Sequence, residues 1–157
     1  MPLIDEGKKA PAFALQDQDG NTHRLSDYDG RHVVLYFYPK DDTPGCTTEA
    51  CGFRDAQPEL SKTGAVVLGV SILDTKSKAK FAGRHGLNFP LLADPDHAVA
   101  DAYGAWQERS MYGRKYMGVA RITYLIGPDG TVLKRWDKVG PARHADEVLD
   151  AIALSAS

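Results

Sequence analysis

The chain has 157 residues and a mass of 17.1 kDa, with 43% hydrophobic and 25% charged residues, a globular composition at the size of a single domain spanning 1–157. Lys+Arg 19 against Asp+Glu 21 leaves a net charge of −2, and no stretch is dominated by Lys and Arg, so the electrostatic footprint of a nucleic-acid binder is missing. No apolar run approaches the ~20 residues of a membrane span, Met1 to Lys8 lacks a signal-peptide pattern, and two cysteines cannot form a disulfide scaffold; a cytoplasmic location is expected.

In chain order, Ala12 to Leu15 and Thr22 to Leu25 flank Gln18-Asp19-Gly20-Asn21, the pattern of an N-terminal β-hairpin. His32 to Tyr38 and Ala65 to Ile72 are nearly continuous runs of Val, Leu, Ile and aromatics, as in strands buried on both faces of a sheet with parallel pairs. Between them Ala50, Phe53, Ala56 and Leu60 recur at three- and four-residue spacing, which predicts a helix over Thr47 to Lys62. Pro58 lies inside that stretch and predicts a kink, or a restart near Gln57.

Asp74 or Thr75 can cap a helix running to His85 with Gly86 beyond its end, and Phe89 to Leu92 reads as a short strand. Asp94-Pro95 predicts another helix start, closed by Gly104. Val119 to Ile126 and Thr131 to Trp136 read as strands around Pro128-Asp129-Gly130, and Ala145, Val148, Leu149 and Ile152 form the stripe of a last helix. The polar segment from Ala105 to Gly118, with scattered aromatics, gives no clear pattern. The alternation predicts an α/β fold with a central mixed sheet flanked by helices.

The loop leaving the first central strand, Pro39-Lys40-Asp41-Asp42-Thr43-Pro44-Gly45-Cys46-Thr47-Thr48-Glu49-Ala50-Cys51, ends on the predicted helix. Active sites of open α/β sheets lie beyond the carboxyl ends of the strands, and a helix N-terminus there offers unpaired N–H groups. Cys46 stands at that place, which favours a thiolate. The run Thr-Pro-Gly-Cys-Thr-Thr-Glu-Ala-Cys, with Gly104-Ala105-Trp106 and Arg121 to Ile126, closely resembles the PrxQ-type peroxiredoxins, also called bacterioferritin comigratory proteins.

That resemblance covers nearly the whole chain and implies a thioredoxin-like fold, no bound cofactor or metal, and a monomer. It makes Cys46 the peroxidatic cysteine and Cys51 the resolving cysteine, with Pro39, Thr43 and Arg121 completing the site. Peroxide substrates and a dithiol reductant such as thioredoxin follow as partners. The residue types suit displacement at an O–O bond. A threonine hydroxyl can accept from the peroxide and donate to sulfur, an arginine supplies a permanent cation with several donors, and Pro39 can stiffen the loop and shield the sulfur.

Simpler readings of the same residues stand beside these. Cys46 and Cys51 could be buried structural thiols, Thr43 a turn or cap residue and Pro39 a strand terminator; Arg121 could be an exposed strand end, but a charge at the head of an apolar strand favours an anionic partner. Glu49 could orient Arg121, although one turn into a helix it is also what the helix dipole favours, and this second reading is preferred. Tyr103 and Trp106 read as core or pocket-wall aromatics, and His144 with Glu147 as a solvated helix face. A thiol-disulfide oxidoreductase would ordinarily carry C-x-x-C instead of C-x-x-x-x-C, and a redox-sensing or metal-binding module would need further ligands near the two thiols.

Overall fold

The structure, a computed structural model, describes residues 2–155. The N-terminal hairpin forms from β1 (Ala14–Gln16) and β2 (Thr22–Arg24), its turn tied by the Asp17 carboxylate, which accepts from the backbone N–H of Asp19 and Asn21. The two apolar runs become β3 (Val33–Phe37) and β4 (Val66–Ser71), paired in parallel with Val33 opposite Val66. A third parallel strand is β5 (Leu91–Ala93), displaced toward the C-terminus of the predicted Phe89 to Leu92. With β8 (Ile122–Ile126) and β9 (Val132–Trp136) the sheet has seven strands in the order β2-β1-β5-β4-β3-β8-β9.

Side chains alternate across β3. Val34, Tyr36 and Tyr38 face a core built from α1 (Pro44–Asp55), α2 (Gln57–Lys62), α3 (Thr75–His85) and α5 (His144–Ser155), whereas Val33, Leu35 and Phe37 face Tyr103, Val119, Ile122 and Tyr124. The predicted long helix breaks at Ala56 and restarts at Gln57 with Pro58 in its first turn, where the missing N–H is harmless. Asp74 caps α3 by accepting from Ser77 N–H, and Gly86 ends it in the left-handed conformation (φ 60°).

Two expectations fail. Asp94 does not open a helix at Pro95: α4 (Ala98–Ala102) starts later, and the buried Asp94 carboxylate reaches over the intervening turn to accept from Val99 and Ala100 N–H. The segment without a clear pattern is a β-hairpin, β6 (Trp106–Met111) and β7 (Arg114–Val119), turned at Tyr112-Gly113 with both φ positive. Val119 to Ile126 is therefore two strands, with Ala120 and Arg121 at the break between β7 and β8. Among the described residues no helix is long and apolar enough to cross a membrane.

The register of β3 and β4 places Tyr36 against Gly69, and a Cβ on Gly69 would lie 2.8 Å from the Tyr36 ring. That ring stacks on Phe53 of α1 with centroids 4.9 Å apart. Gly69→Ala is expected to drive Tyr36 into Phe53 and lower stability by about 1–3 kcal/mol. The urea midpoint checks this; an unchanged midpoint would mean that the ring has room to yield.

Candidate active site

β3 lies inside the sheet between β4 and β8, and the chain leaves it through Tyr38 and Pro39 into the turn that opens α1. Thr43 is the N-cap, extended at φ −95° and ψ 156°, and Pro44 begins the helix. Cys46 is thus the third helical residue, directed into the core with 1% of its surface exposed. This agrees with the helix-start placement expected from the motif.

Arg121 projects from the break before β8 onto this corner. Its Nη2 donates to Cys46 Sγ at 3.3 Å and its Nη1 to Glu49 Oε1 at 2.8 Å, with 19% of the arginine side chain exposed. The guanidinium lies so close to α1 that a Cβ on Gly45 would stand 3.1 Å from Nη2. The absence of a side chain at Gly45 is therefore part of the site, signalled in the sequence only by a small residue before the cysteine. The exposed side of Arg121 opens into a cleft of about 450 Å³ lined also by Gln107, Arg109, Ser110, Lys138 and Val139.

The other expected residues are placed less directly. Thr43 Oγ1 donates to the Lys40 carbonyl at 2.9 Å, which leaves its lone pairs free to accept but turns its proton away from the sulfur. Pro39 is half-buried where β3 ends, consistent with the strand-terminator reading. Cys51 is half-buried on the same helix as Cys46, roughly 140° further round its axis after five residues. Both cysteines are free thiols.

Glu49 corrects the preferred reading of it as a residue placed for the helix dipole. α1 starts at Pro44, so Glu49 lies beyond the first turn, and it is 1% exposed against Arg121. His144 is likewise no solvated residue. It is fully buried at the start of α5, with Nε2 bonded to Thr123 Oγ1 at 2.7 Å and its ring edge-on to Phe53 and Trp136. No group of three or more His, Cys, Asp or Glu that could hold a metal occurs among the described residues.

A profile of the AhpC/TSA family matches residues 6–135. The chain belongs to that family. It is 44% identical over 149 residues to peroxiredoxin Bcp of Bacillus subtilis strain 168, covering 95% of each chain, and 45% identical to peroxiredoxin Bcp of Escherichia coli K12, covering 96% of each. Among solved structures, the bacterioferritin comigratory protein of Xanthomonas campestris superposes with a TM-score of 0.91 at 40% identity, covering 98% of this chain and 100% of that one. A cysteine-to-serine variant of Xylella fastidiosa PrxQ superposes at 0.94 with 34% identity, covering 100% of both. The seven-stranded sheet and its helices are the thioredoxin-like peroxiredoxin fold, and the chain is a thiol peroxidase of the Bcp/PrxQ kind, using peroxides and a thiol reductant.

In this peroxiredoxin one cation serves two acidic groups. Burial works against the charge of Arg121, yet the neighbouring Cys46 and Glu49 hold its pKa above the ordinary arginine value. Burial raises Glu49 from 4.5 to about 7, with Arg121 opposing. Burial lowers His144 from 6.5 to about 4, with Glu147 opposing.

The two shifts affect stability with opposite sign. Folded Glu49 holds its proton more tightly than the unfolded chain does, so its contribution is present below pH 4.5 and is lost as pH rises toward about 7. Folded His144 resists protonation, so its contribution is present above pH 6.5 and is lost as pH falls toward about 4. Between pH 4.5 and 6.5 they oppose each other. Glu49→Gln is expected to leave the His144 slope uncovered, so that the unfolding free energy from urea titrations falls more steeply with acidification than in the wild type, by up to ~1.4 kcal/mol per pH unit. Parallel profiles for the two proteins would contradict a protonated, buried Glu49.

Proposed function

We propose that Cys46 is the sulfur attacked by peroxide and Cys51 the thiol that resolves it, in one domain spanning residues 1–157. The observation that carries this reading is the donor contact from the half-buried Arg121 to the buried Cys46 Sγ at a helix N-terminus. The guanidinium favours the ionised sulfur and offers donors to an oxygen approaching it. Thr43 Oγ1, with its proton on the Lys40 carbonyl, can accept the proton-bearing end of a hydroperoxide. Pro39 and Pro44 stiffen the corner on either side of Thr43.

The chemistry balances in three steps. The Cys46 thiolate attacks the terminal oxygen of ROOH, the O–O bond breaks, and the leaving alkoxide takes a proton to become ROH while sulfur becomes a sulfenic acid. The Cys51 thiol displaces water from that sulfenic acid and forms an S–S bond. A dithiol protein, by resemblance thioredoxin, then exchanges with the disulfide and is oxidised in its place. Hydrogen peroxide and organic hydroperoxides are the proposed substrates; the Xanthomonas campestris bacterioferritin comigratory protein has alkyl peroxide reduction activity. Dependence on a dithiol reductant supports a cytoplasmic location, and a monomer suffices because both sulfurs lie on one helix.

The helix must open for the second step. Cα atoms five residues apart on a helix are roughly 8–9 Å apart, whereas a disulfide rarely tolerates more than ~7 Å. The break at Ala56 lets α1 unwind without α2. Amide exchange across Thr47 to Ala56 is expected to be slow in the reduced protein and fast in the oxidised one, while β4 stays protected in both. Equal protection of Thr47 to Ala56 in both states, with the disulfide verified by mass, would refute this switching.

Cys46→Ser is expected to abolish peroxide reduction, and Cys51→Ser to keep the first turnover, accumulate sulfenic acid and lose dithiol-linked recycling. The reverse pattern would exchange the two roles. Arg121→Gln, which removes the cation but keeps a donor, is expected to slow the attack step by roughly 10²-fold or more, in line with loss of a charged donor at the reacting atoms. An unchanged second-order rate in rapid mixing would remove Arg121 from the reaction.

A further inference from the structure

Five residues before Cys46, the loop from β3 to α1 buries an ion pair. Lys78 of α3 is wholly buried and its Nζ lies 3.4 Å from Asp41 Oδ2, with the side chain of Asp41 2% exposed. Asp41 accepts from three donors: Tyr38 OH on Oδ1, and Ser77 Oγ at 2.7 Å together with Lys78 Nζ on Oδ2. Lys78 also donates to Ser71 Oγ and stands 5.3 Å from the centre of the Tyr38 ring. The cluster thus joins the carboxyl ends of β3 and β4, the first turns of α3, and the loop.

A buried ion pair is weak evidence for stability, since apolar residues of equal volume often serve as well. What an apolar pair lacks is direction. Here the direction fixes a corner under strain: Asp42, next in the chain, has φ 62° without being glycine, and its carboxylate is held by Arg84 at 2.8 Å and His85 at 2.9 Å at the far end of α3. Both ends of α3 therefore grip residues 41 and 42. On the α1 side, the Thr43 side chain makes no cap bond and donates instead to the Lys40 carbonyl, so Arg121 is what meets the first turns of that helix.

We propose that Asp41 and Lys78 are positioning residues for the peroxidase reaction: their buried pair holds the Asp41 to Thr43 corner in place, so that Cys46 keeps its station against Arg121 while the rest of α1 unwinds. This rests on Cys46 as the attacked sulfur. With the corner anchored, Cys51 is the group that travels during disulfide formation. With it free, the start of α1 drifts and the contact between Arg121 and Cys46 loosens even in the reduced protein.

The test uses the full chain in a Cys51→Ser background, so that one thiol reports. Asp41→Asn with Lys78→Met removes the pair without changing net charge, and any effect on Cys46 then reports geometry and not a lost field. Ser77→Ala removes one donor to Asp41 and leaves the Asp74 cap intact. First-turnover rates with hydrogen peroxide, the pH profile of Cys46 alkylation and thermal melting are measured for each. The double variant is expected to be roughly tenfold slower, less than the roughly 10²-fold that a full ångström of misplacement can cost. Its alkylation profile is expected to move toward alkaline pH, because the contact with Arg121 is loosened. Ser77→Ala is expected to shift both readouts the same way, with a rate loss of roughly two- to threefold.

A folded double variant with the parent's rate and profile would overturn the proposal. Should that variant fail to fold, Ser77→Ala decides, and parental values there would overturn it equally. A parent whose first turnover is no faster than that of Cys46→Ser would overturn the reading of the site, and this proposal with it.

Discussion

Arg121 carries a permanent charge to a place where Cys46 Sγ is 3.3 Å away and a buried carboxyl 2.8 Å away, and a charge so placed has to be met by an anion. Much of the surrounding structure serves that requirement. The backbone leaves β7 and re-enters the sheet at β8 around Arg121, and Gly45 keeps a side chain out of the guanidinium's path. α1 presents Cys46 and Glu49 on one face, three residues apart. Burial raises Glu49 to about 7 although Arg121 opposes it. Two donors of one guanidinium are thereby shared between the thiol and the carboxyl.

In the proposed mechanism the same helix has to be firm for the first step and removable for the second. Ala50 and Phe53 are fully buried, and Phe53 packs between Tyr36, Phe89 and His144, which holds α1 on the sheet. The interruption at Ala56 limits how much structure is lost when that packing is released. On the other side, the loop before α1 is fastened to α3 by Asp41 and Asp42. Under the proposed mechanism, attachment upstream of Cys46 and a separate short helix downstream would confine the movement to the segment that bears Cys51.

Features governed by local chemistry were legible in the sequence. The apolar runs of β3 and β4, the Asp74 and Gly86 ends of α3, the restart forced by Pro58, and Cys46 at a helix start each depend on residues within a few positions of one another. An anionic partner for Arg121 followed from its place at the head of an apolar strand. The hairpin of β6 and β7 escaped because its exposed strands mix Arg, Lys, Glu and Met without alternation, and its turn puts a tyrosine at positive φ. Glu49, His144, Asp41 and Lys78 look like ordinary surface residues in sequence. Their burial is decided by partners 72, 21 and 37 positions away, and no short-range pattern reports such a pairing.

Everything proposed for this site depends on peroxide oxidising Cys46 and on that oxidation passing to Cys51 of the same helix. The mass of the intact protein after one equivalent of hydrogen peroxide, with its peptides mapped, reads both events at once. Loss of two hydrogen atoms with no covalent dimer is expected, with a single cross-link joining the peptides of Cys46 and Cys51. A covalent dimer, or a stable added oxygen with Cys51 still reactive toward a thiol reagent, would contradict this mechanism.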